Sequence, residues 1–439
     1  MKKRRSKRSH RNSRPWVIPP GLLMMDEPFE GFLVLDEVHS ELGVLLWQCL
    51  RDVDLWAGTP AEVRRDLFNP NAIEQRLERI AEETDPESSV RTMLDLMARV
   101  LDWPGAPRPA ELSEACESLS RWASDQGWPR TALAFAQRSA LAAPELAGPA
   151  YLVGMVARRG ADYRRAETWF RRALALARRN RDWKYYGLAH LGLANLHMQR
   201  GDAPSARARL LRALRAARRY GVWSVRPFAL HDLFCIAANG GDRDQAELYA
   251  RAAFRSYGRR HPRLPALAHD VAWFWMLQRH YGRALEMFRA VLRHVPRPPE
   301  RMVVLANIAR SAAGLGDAEG YEAAWKEVWR IVENRADTER VAEAMISLAH
   351  GAYSLREGTR MEMSASLALR VATRRHEAQE RLAAEDLLNR ARNLKARRRR
   401  GAALPPIPPP VEPEPGAEPS SADQLHDDLV EALLEVPLP

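Results

Sequence analysis

An interval of 34 to 40 residues recurs through the middle of this 439-residue chain and restricts its possible folds more than any other feature. Successive repeat positions are separated by 34, 40, 40, 38 and 37 residues. A period of this length is typical of a stacked array, because a single unit cannot bury its apolar face alone. The recurring position holds a small residue after a Gly-containing turn: Ala132, Ala166, Ala206, Ala246 and Ala284, with Tyr321 in the sixth unit.

Apolar residues keep a fixed phase with that position. Thirteen residues before it, where a first helix is expected, stand Leu119, Val153, Leu193, Leu233, Val271 and Ile308. Four residues after it, in a second helix, stand Ala136, Phe170, Leu210, Ala250, Phe288 and Trp325. Each unit is therefore predicted to be a pair of helices. Gly forms the turn between them and the following Asp, as in Gly241-Asp242, caps the second helix.

The segments RRGADYRRAETWFRRAL and RHYGRALEMFRAVLRHVP contain a Gly-Asp-Tyr-like turn and alternating small and large packing positions. In these features the chain resembles the tetratricopeptide repeat family over roughly residues 110–355. The resemblance implies an all-α fold, a right-handed α-solenoid of helical hairpins. Spacings of 37 to 40 residues depart from the usual period of the family. The family's first-helix Gly remains only as Gly154, so we expect a divergent array with longer helices or loops.

Composition separates the remaining segments. Residues 1–14 carry eight Lys and Arg and no acid, whereas residues 411–439 carry eight Asp and Glu and no Lys or Arg. We predict six segments: a basic, Pro-containing disordered arm at 1–30, an N-terminal helical unit at 31–105, the repeat array at 106–375, a capping helix with a basic end at 376–400, a Pro-rich acidic linker at 401–422 and a short amphipathic acidic helix at 423–439.

The last of these segments is expected to fold onto another surface. It places Leu425, Leu429, Leu433 and Val436 on one helical face, and a lone helix of that length is marginal in water. Two destinations are open. The helix docks on the chain's own basic body as an autoinhibitory lid, or it is a docking motif that another protein reads.

Several classes of protein are excluded by what the sequence lacks. There is no apolar run of about 18 residues, so no membrane span is predicted. The three cysteines lie far apart, which excludes a disulfide framework and the usual zinc spacings. Phe32 to His39 imitates a helicase box, but no GxxxxGK[ST] phosphate loop accompanies it. We expect a cytoplasmic protein without cofactor or metal. The excess of Arg over Lys, together with abundant Ala, indicates a GC-rich bacterial genome.

Residues at matching places of successive first helices form the candidate partner groove. By resemblance to the family, such residues grip an extended peptide or a partner helix, although ordinary packing between helices explains any one of them equally well. The candidates are Tyr151, Asn195, His231, Asp232, His269, Asp270, Trp273, Asn307 and Arg310.

The leading hypothesis is a protein–protein interaction scaffold or adaptor that binds a peptide or helix in this groove and is not an enzyme. One alternative is a regulatory sensor that acts on transcription or nucleic acid, with weak nucleic-acid contact through residues 1–14. A second alternative is a metal-dependent enzyme built on the pairs His231-Asp232 and His269-Asp270, since imidazole and carboxylate groups from neighbouring helices are common metal ligands.

Overall fold

The structure is a computed structural model that describes residues 33–66, 69, 71–102, 107–335, 340–411 and 421–438. Within these ranges every regular element is helical and no strand is present. The predicted all-α fold is therefore confirmed. The basic arm predicted at 1–30 lies outside the described residues.

In the described part of the chain four α-helices precede the repeats, and seven helical hairpins follow in the tetratricopeptide-like arrangement that the repeat predicts. The preceding helices are α1 (Leu33–Glu37), α2 (Glu41–Gly58), α3 (Ala72–Glu83) and α4 (Ser89–Ala98). The hairpins are α5 (Pro109–Gln126) with α6 (Pro129–Ala142), α7 (Ala147–Arg159) with α8 (Tyr163–Asn180), α9 (Trp183–Gln199) with α10 (Ala203–Tyr220), α11 (Arg226–Asn239) with α12 (Arg243–Tyr257), α13 (Leu264–Leu277) with α14 (Tyr281–Leu292), α15 (Pro298–Gly314) with α16 (Ala318–Arg335), and α17 (Val341–Ser354) with α18 (Gly358–Arg374). Two single helices complete the fold, α19 (Ala378–Arg399) and α20 (Ser421–Glu435).

The turn between α11 and α12 shows why Gly-Asp recurs. Gly241 has a φ of 74°, a left-handed conformation that costs glycine little. The Asp242 carboxylate then accepts a hydrogen bond from the backbone N–H of Gln245 at 3.2 Å and so caps α12. The same arrangement recurs at Gly201-Asp202 and Gly316-Asp317.

The fifth hairpin departs from the predicted alignment. Gly282 lies inside α14 rather than in the turn, and the left-handed residue of that turn is Arg279, with a φ of 68°. In the second hairpin the left-handed residue is Ala161, which follows Gly160 in the turn. In both turns one residue adopts the left-handed conformation, although that residue is not a glycine.

The described residues form two compact units, one within residues 33–156 and 164–189 and the other within residues 157–163 and 190–438. In the first unit Gly154 allows close helix crossing, because a Cβ at that position would lie 2.6 Å from Phe170 Cδ1. The core of the second unit runs through the hairpins from α11 to α18 and includes α19. Within the described ranges no helix has the length and apolarity that a membrane span requires.

The helix α20 packs within the second unit against α12, α13 and α14. Leu429 and Leu433 on its apolar face are buried. Its acidic face forms ion pairs with the repeats: Asp423 with Arg283, and Glu435 with Arg259 at 2.8 Å. In the structure, this amphipathic helix lies on the chain's own repeats.

Candidate ligand-binding face of the first helices

Asp270 on α13 is the centre of a hydrogen-bond network. Its Oδ2 accepts a hydrogen bond from His231 Nε2 on α11 at 2.8 Å, and its Oδ1 accepts one from His269 Nδ1 at 2.9 Å. Burial alone would raise the pKa of Asp270, but the hydrogen bonds from the two histidines outweigh burial and hold the pKa well below its usual range. The carboxylate is therefore ionised and acts only as an acceptor.

The network continues along two more first helices. Since the Nδ1 of His269 carries its proton, Nε2 is free to accept a hydrogen bond from Asn307 Nδ2 on α15 at 3.1 Å. The Asn307 Oδ1 in turn accepts a hydrogen bond from Ser347 Oγ on α17 at 2.7 Å. A continuous chain of hydrogen bonds thus joins α11, α13, α15 and α17.

Two further residues complete the network at its α11 end. The Nδ1 of His231 accepts a hydrogen bond from the Tyr257 hydroxyl at 3.3 Å, and burial raises the pKa of Tyr257, so that the phenol stays protonated. The Cys235 thiol lies one helical turn after His231 and donates to Asp270 Oδ2 at 3.6 Å. In the sequence Cys235 has no cysteine nearby, and only its spacing of four residues from His231 indicates that the two side chains share a helical face.

Asp232 does not share the Asp270 network. Adjacent residues of a helix diverge by roughly 100°, and His231 pairs across the helices with Asp270 rather than with its sequence neighbour. Asp232 is half-buried, and burial raises its pKa to about 6. The hydrogen-bonded histidine–aspartate pair therefore joins successive repeats, His231 with Asp270.

A second row of side chains lies one helical turn further along α13, α15 and α17. Trp273 packs half-buried against the core, and Arg310 and His350 are half-buried at the corresponding places of the next two helices. Burial lowers the pKa of Arg310 to about 10, which leaves it a cation at neutral pH. In the part of the chain that the structure describes, no hydrogen bond or ion pair is formed by its guanidinium.

The remaining two candidates have other surroundings. Tyr151 on α7 packs its ring against Phe170 and Tyr185, with centroids 5.6 and 5.9 Å away. Asn195 lies half-buried on α9. Neither residue belongs to the hydrogen-bond chain centred on Asp270. A matching position on a first helix is therefore not sufficient to place a residue in this network.

His350 makes the stability of this face dependent on pH. Burial, and then the charges of Arg310 and Arg390, lower its pKa to about 3, against about 6.5 in an unfolded chain. As the pH falls from 6.5 towards 4, the unfolded chain binds one more proton at this site than the folded chain does. We expect the free energy of unfolding to fall by about 1.4 kcal/mol per pH unit from this residue alone.

Urea unfolding at several pH values measures this effect, with His350→Gln compared against the unaltered protein. The variant is expected to show a pH slope smaller by about one proton. His39→Gln is the matched control, because His39 is exposed on the surface. If His350→Gln and His39→Gln have the same slope, His350 does not titrate as described.

No protein-family model and no curated protein matches this chain. Among solved structures, the APC/C hetero-tetramer Cut9-Hcn1 is 14% identical with a TM-score of 0.43; the match covers 82% of this chain, which spans only 58% of that one. The Rap conjugation gene regulator of plasmid pLS20 in complex with the Phr* peptide is 13% identical, with a TM-score of 0.38 and coverage of 80% and 96%. The TPR2AB domain of yeast Sti1 with pHSP90 is 13% identical, with a TM-score of 0.25 and coverage of 64% and 98%. At such values the fold assignment rests on the helices of this chain.

Proposed function

We propose that this protein is a non-catalytic adaptor that binds an acidic segment of a partner protein on the face formed by α13, α15 and α17. A carboxylate of the partner pairs with Arg310, and a neighbouring apolar side chain packs on Trp273. The observation that carries the proposal is the half-buried side chain of Arg310, whose guanidinium has neither a hydrogen bond nor an ion pair within the described residues.

A cation in that position favours an anionic ligand for a physical reason. Removing a charge from water is costly unless an opposite charge and hydrogen bonds compensate for it. A guanidinium and a carboxylate form two parallel, charge-assisted hydrogen bonds, which are about twice as strong as neutral ones. Arg and Trp are also the side chains that most often dominate the energy of protein interfaces. Arg310 is thus suited to receive an Asp, a Glu or a chain-terminal carboxylate.

The Asp270 network supports the proposal by holding the helices in register. Asn307 lies one turn before Arg310 on α15 and is bonded on both sides, to His269 and to Ser347. Side chains fixed by such a network need little reordering when a ligand binds, and this reduces the entropic cost of binding. Asn307 is thus bonded within the network, whereas Arg310 in the second row is available to a ligand.

The state of Cys235 favours binding over catalysis. Burial, and then the negative charges of Asp270 and Asp232, raise the pKa of this thiol well above its usual value. A thiol that stays protonated is a poor nucleophile. The sensor alternative depends on residues 1–14, which lie outside the described residues, and together with the bacterial and cytoplasmic assignment it stays a prediction.

A random peptide library displayed on phage, selected against the purified full-length protein, tests the proposal. We expect the selected peptides to be enriched in Asp and Glu next to an aromatic or aliphatic residue. Arg310→Met should weaken their binding about 10- to 100-fold, the equivalent of a lost charged hydrogen bond. It should not lower stability, because it removes a desolvated charge and keeps the side-chain volume.

Arg289→Met is the matched control, since it makes the same change of charge at an exposed position of α14. Binding that weakens equally in both variants would indicate non-specific attraction to a basic protein. Selected peptides without acidic residues, or peptides that bind Arg310→Met as strongly as the unaltered protein, would contradict the proposed site.

A further inference from the structure

Three different metal-ligating side chains converge at the α11 end of the hydrogen-bond network. Nitrogen, sulfur and oxygen atoms of His231, Cys235 and Asp270 all lie within 4.8 Å of one another. Asp270 Oδ2 is 2.8 Å from His231 Nε2 and 3.6 Å from Cys235 Sγ. We propose that these three side chains form a binding site for a divalent transition-metal ion, with Zn²⁺ the preferred occupant.

The backbone arrangement suits this role. His231 and Cys235 are four residues apart on α11 and therefore point from the same helical face, while Asp270 approaches from α13. Zinc bonds of roughly 2.0 to 2.3 Å place tetrahedral ligand atoms roughly 3.3 to 3.8 Å apart. The sulfur–oxygen distance already fits this range. The nitrogen–oxygen distance must open by roughly half an ångström, which small side-chain rotations allow.

The side chains that contact the three proposed ligands also suit a metal site. Asp270 Oδ1 is held by His269, and His231 Nδ1 contacts the Tyr257 hydroxyl. Metal-binding histidines almost always donate a hydrogen bond from their second ring nitrogen to an oxygen acceptor, and ligating carboxylates are themselves hydrogen-bonded. When the Nε2 of His231 binds the metal, its proton resides on Nδ1, and the Tyr257 oxygen changes from donor to acceptor.

The charges balance when the ion binds. The Cys235 thiol gives up its proton to solvent, His231 binds as a neutral imidazole and Asp270 as a carboxylate, so that two negative charges match the dication. Asp270 is 37% exposed, which leaves room for a water molecule as fourth ligand on the open side. Metal binding here is independent of peptide binding at Arg310, and Arg310→Met is expected to leave it unchanged.

Cobalt titration of the full-length protein, after dialysis against a chelator, tests the site. We expect one equivalent of Co²⁺ to produce the absorption of a tetrahedral ion together with a thiolate-to-cobalt charge-transfer band, and added Zn²⁺ to abolish both. Cys235→Ser should remove the charge-transfer band and weaken binding at least tenfold. The thermal midpoint should rise with Zn²⁺ in the unaltered protein but not in Cys235→Ser.

Cys116→Ala is the control, because it removes a cysteine of the first unit, far in sequence from the three ligands. The charge-transfer band of the protein should persist in this variant. If Cys235→Ser fails to fold, His231→Gln should show the same loss of affinity, since it removes the nitrogen ligand without adding charge. No charge-transfer band in the unaltered protein, or a band that survives both Cys235→Ser and His231→Gln, would overturn the proposal.

Discussion

Leu429→Asp is expected to detach α20 from the repeats while leaving the hairpins folded. Leu429 is 0% exposed on the apolar face of this helix. Burial of a leucine side chain contributes about 1.5 to 3 kcal/mol, and a carboxylate at the same place would be buried without a partner. Released into water, a helix of this length is only marginally stable. The loss of docking should therefore appear as unfolding of residues 421–435.

Hydrogen exchange followed by mass spectrometry measures this release. The amides of residues 421–435 should exchange at least about 100-fold faster in the variant, since about 1.4 kcal/mol corresponds to a factor of ten. Peptides from α13 and α14 should change much less, because their own hairpin is intact. A protected α20 in Leu429→Asp would show that its apolar face is not what holds it.

Leu434→Asp provides the matched control on the same helix. Leu434 is 69% exposed, so the same substitution changes the charge of α20 without disturbing its contact with the repeats. Surface substitutions of this kind usually change stability by no more than about 0.5 kcal/mol. Equal release in both variants would show that the added negative charge, and not the loss of apolar burial, detaches the helix.

Much of the fold could be predicted from the sequence because its signals are local. A small residue at a fixed period, a Gly-Asp turn and apolar residues at helical spacing each depend on a few neighbouring positions, and Ala206 and Ala246 are buried as that period implies. The turn before α14 shows the limit. Arg279 there adopts the left-handed conformation that the sequence suggested for a glycine, because the surrounding hairpin imposes it.

The candidate site was less predictable because its contacts connect repeats. Spacing placed His231, His269 and Asn307 on the first helices, but which atoms bond depends on helix rotation and side-chain rotamers. The sequence placed His231-Asp232 and His269-Asp270 on neighbouring helices, but the bond between His231 and Asp270 is visible only in the structure. Ser347, Tyr257 and Cys235 were missed because the seventh unit is irregular, because Tyr257 ends a second helix, and because Cys235 has no cysteine neighbour.

Gly351→Val is expected to lower the free energy of unfolding by about 3 kcal/mol, the upper part of the range for overpacked cores. A Cβ at Gly351 would lie 2.8 Å from Tyr321 Cε2 and 3.2 Å from the Cα of Arg310. Neither neighbour can give way easily. Tyr321 is fully buried and its hydroxyl donates to the Leu348 carbonyl at 3.2 Å, while the second contact is backbone of α15. Chemical denaturation measures the change.

The same substitution should also impair binding at the candidate site. Gly351 on α17 sets the approach of α15, so a valine there pushes Arg310 away from its place and strains the bond between Ser347 and Asn307. Gly282→Val is the control, because a Cβ at Gly282 meets nothing within 4 Å. Valine also has a helix propensity that is more favourable than that of glycine by a few tenths of a kcal/mol. Stability should therefore stay within about 0.5 kcal/mol in the control. Equal losses in the two variants would mean that close crossing of α15 and α17 does not depend on Gly351.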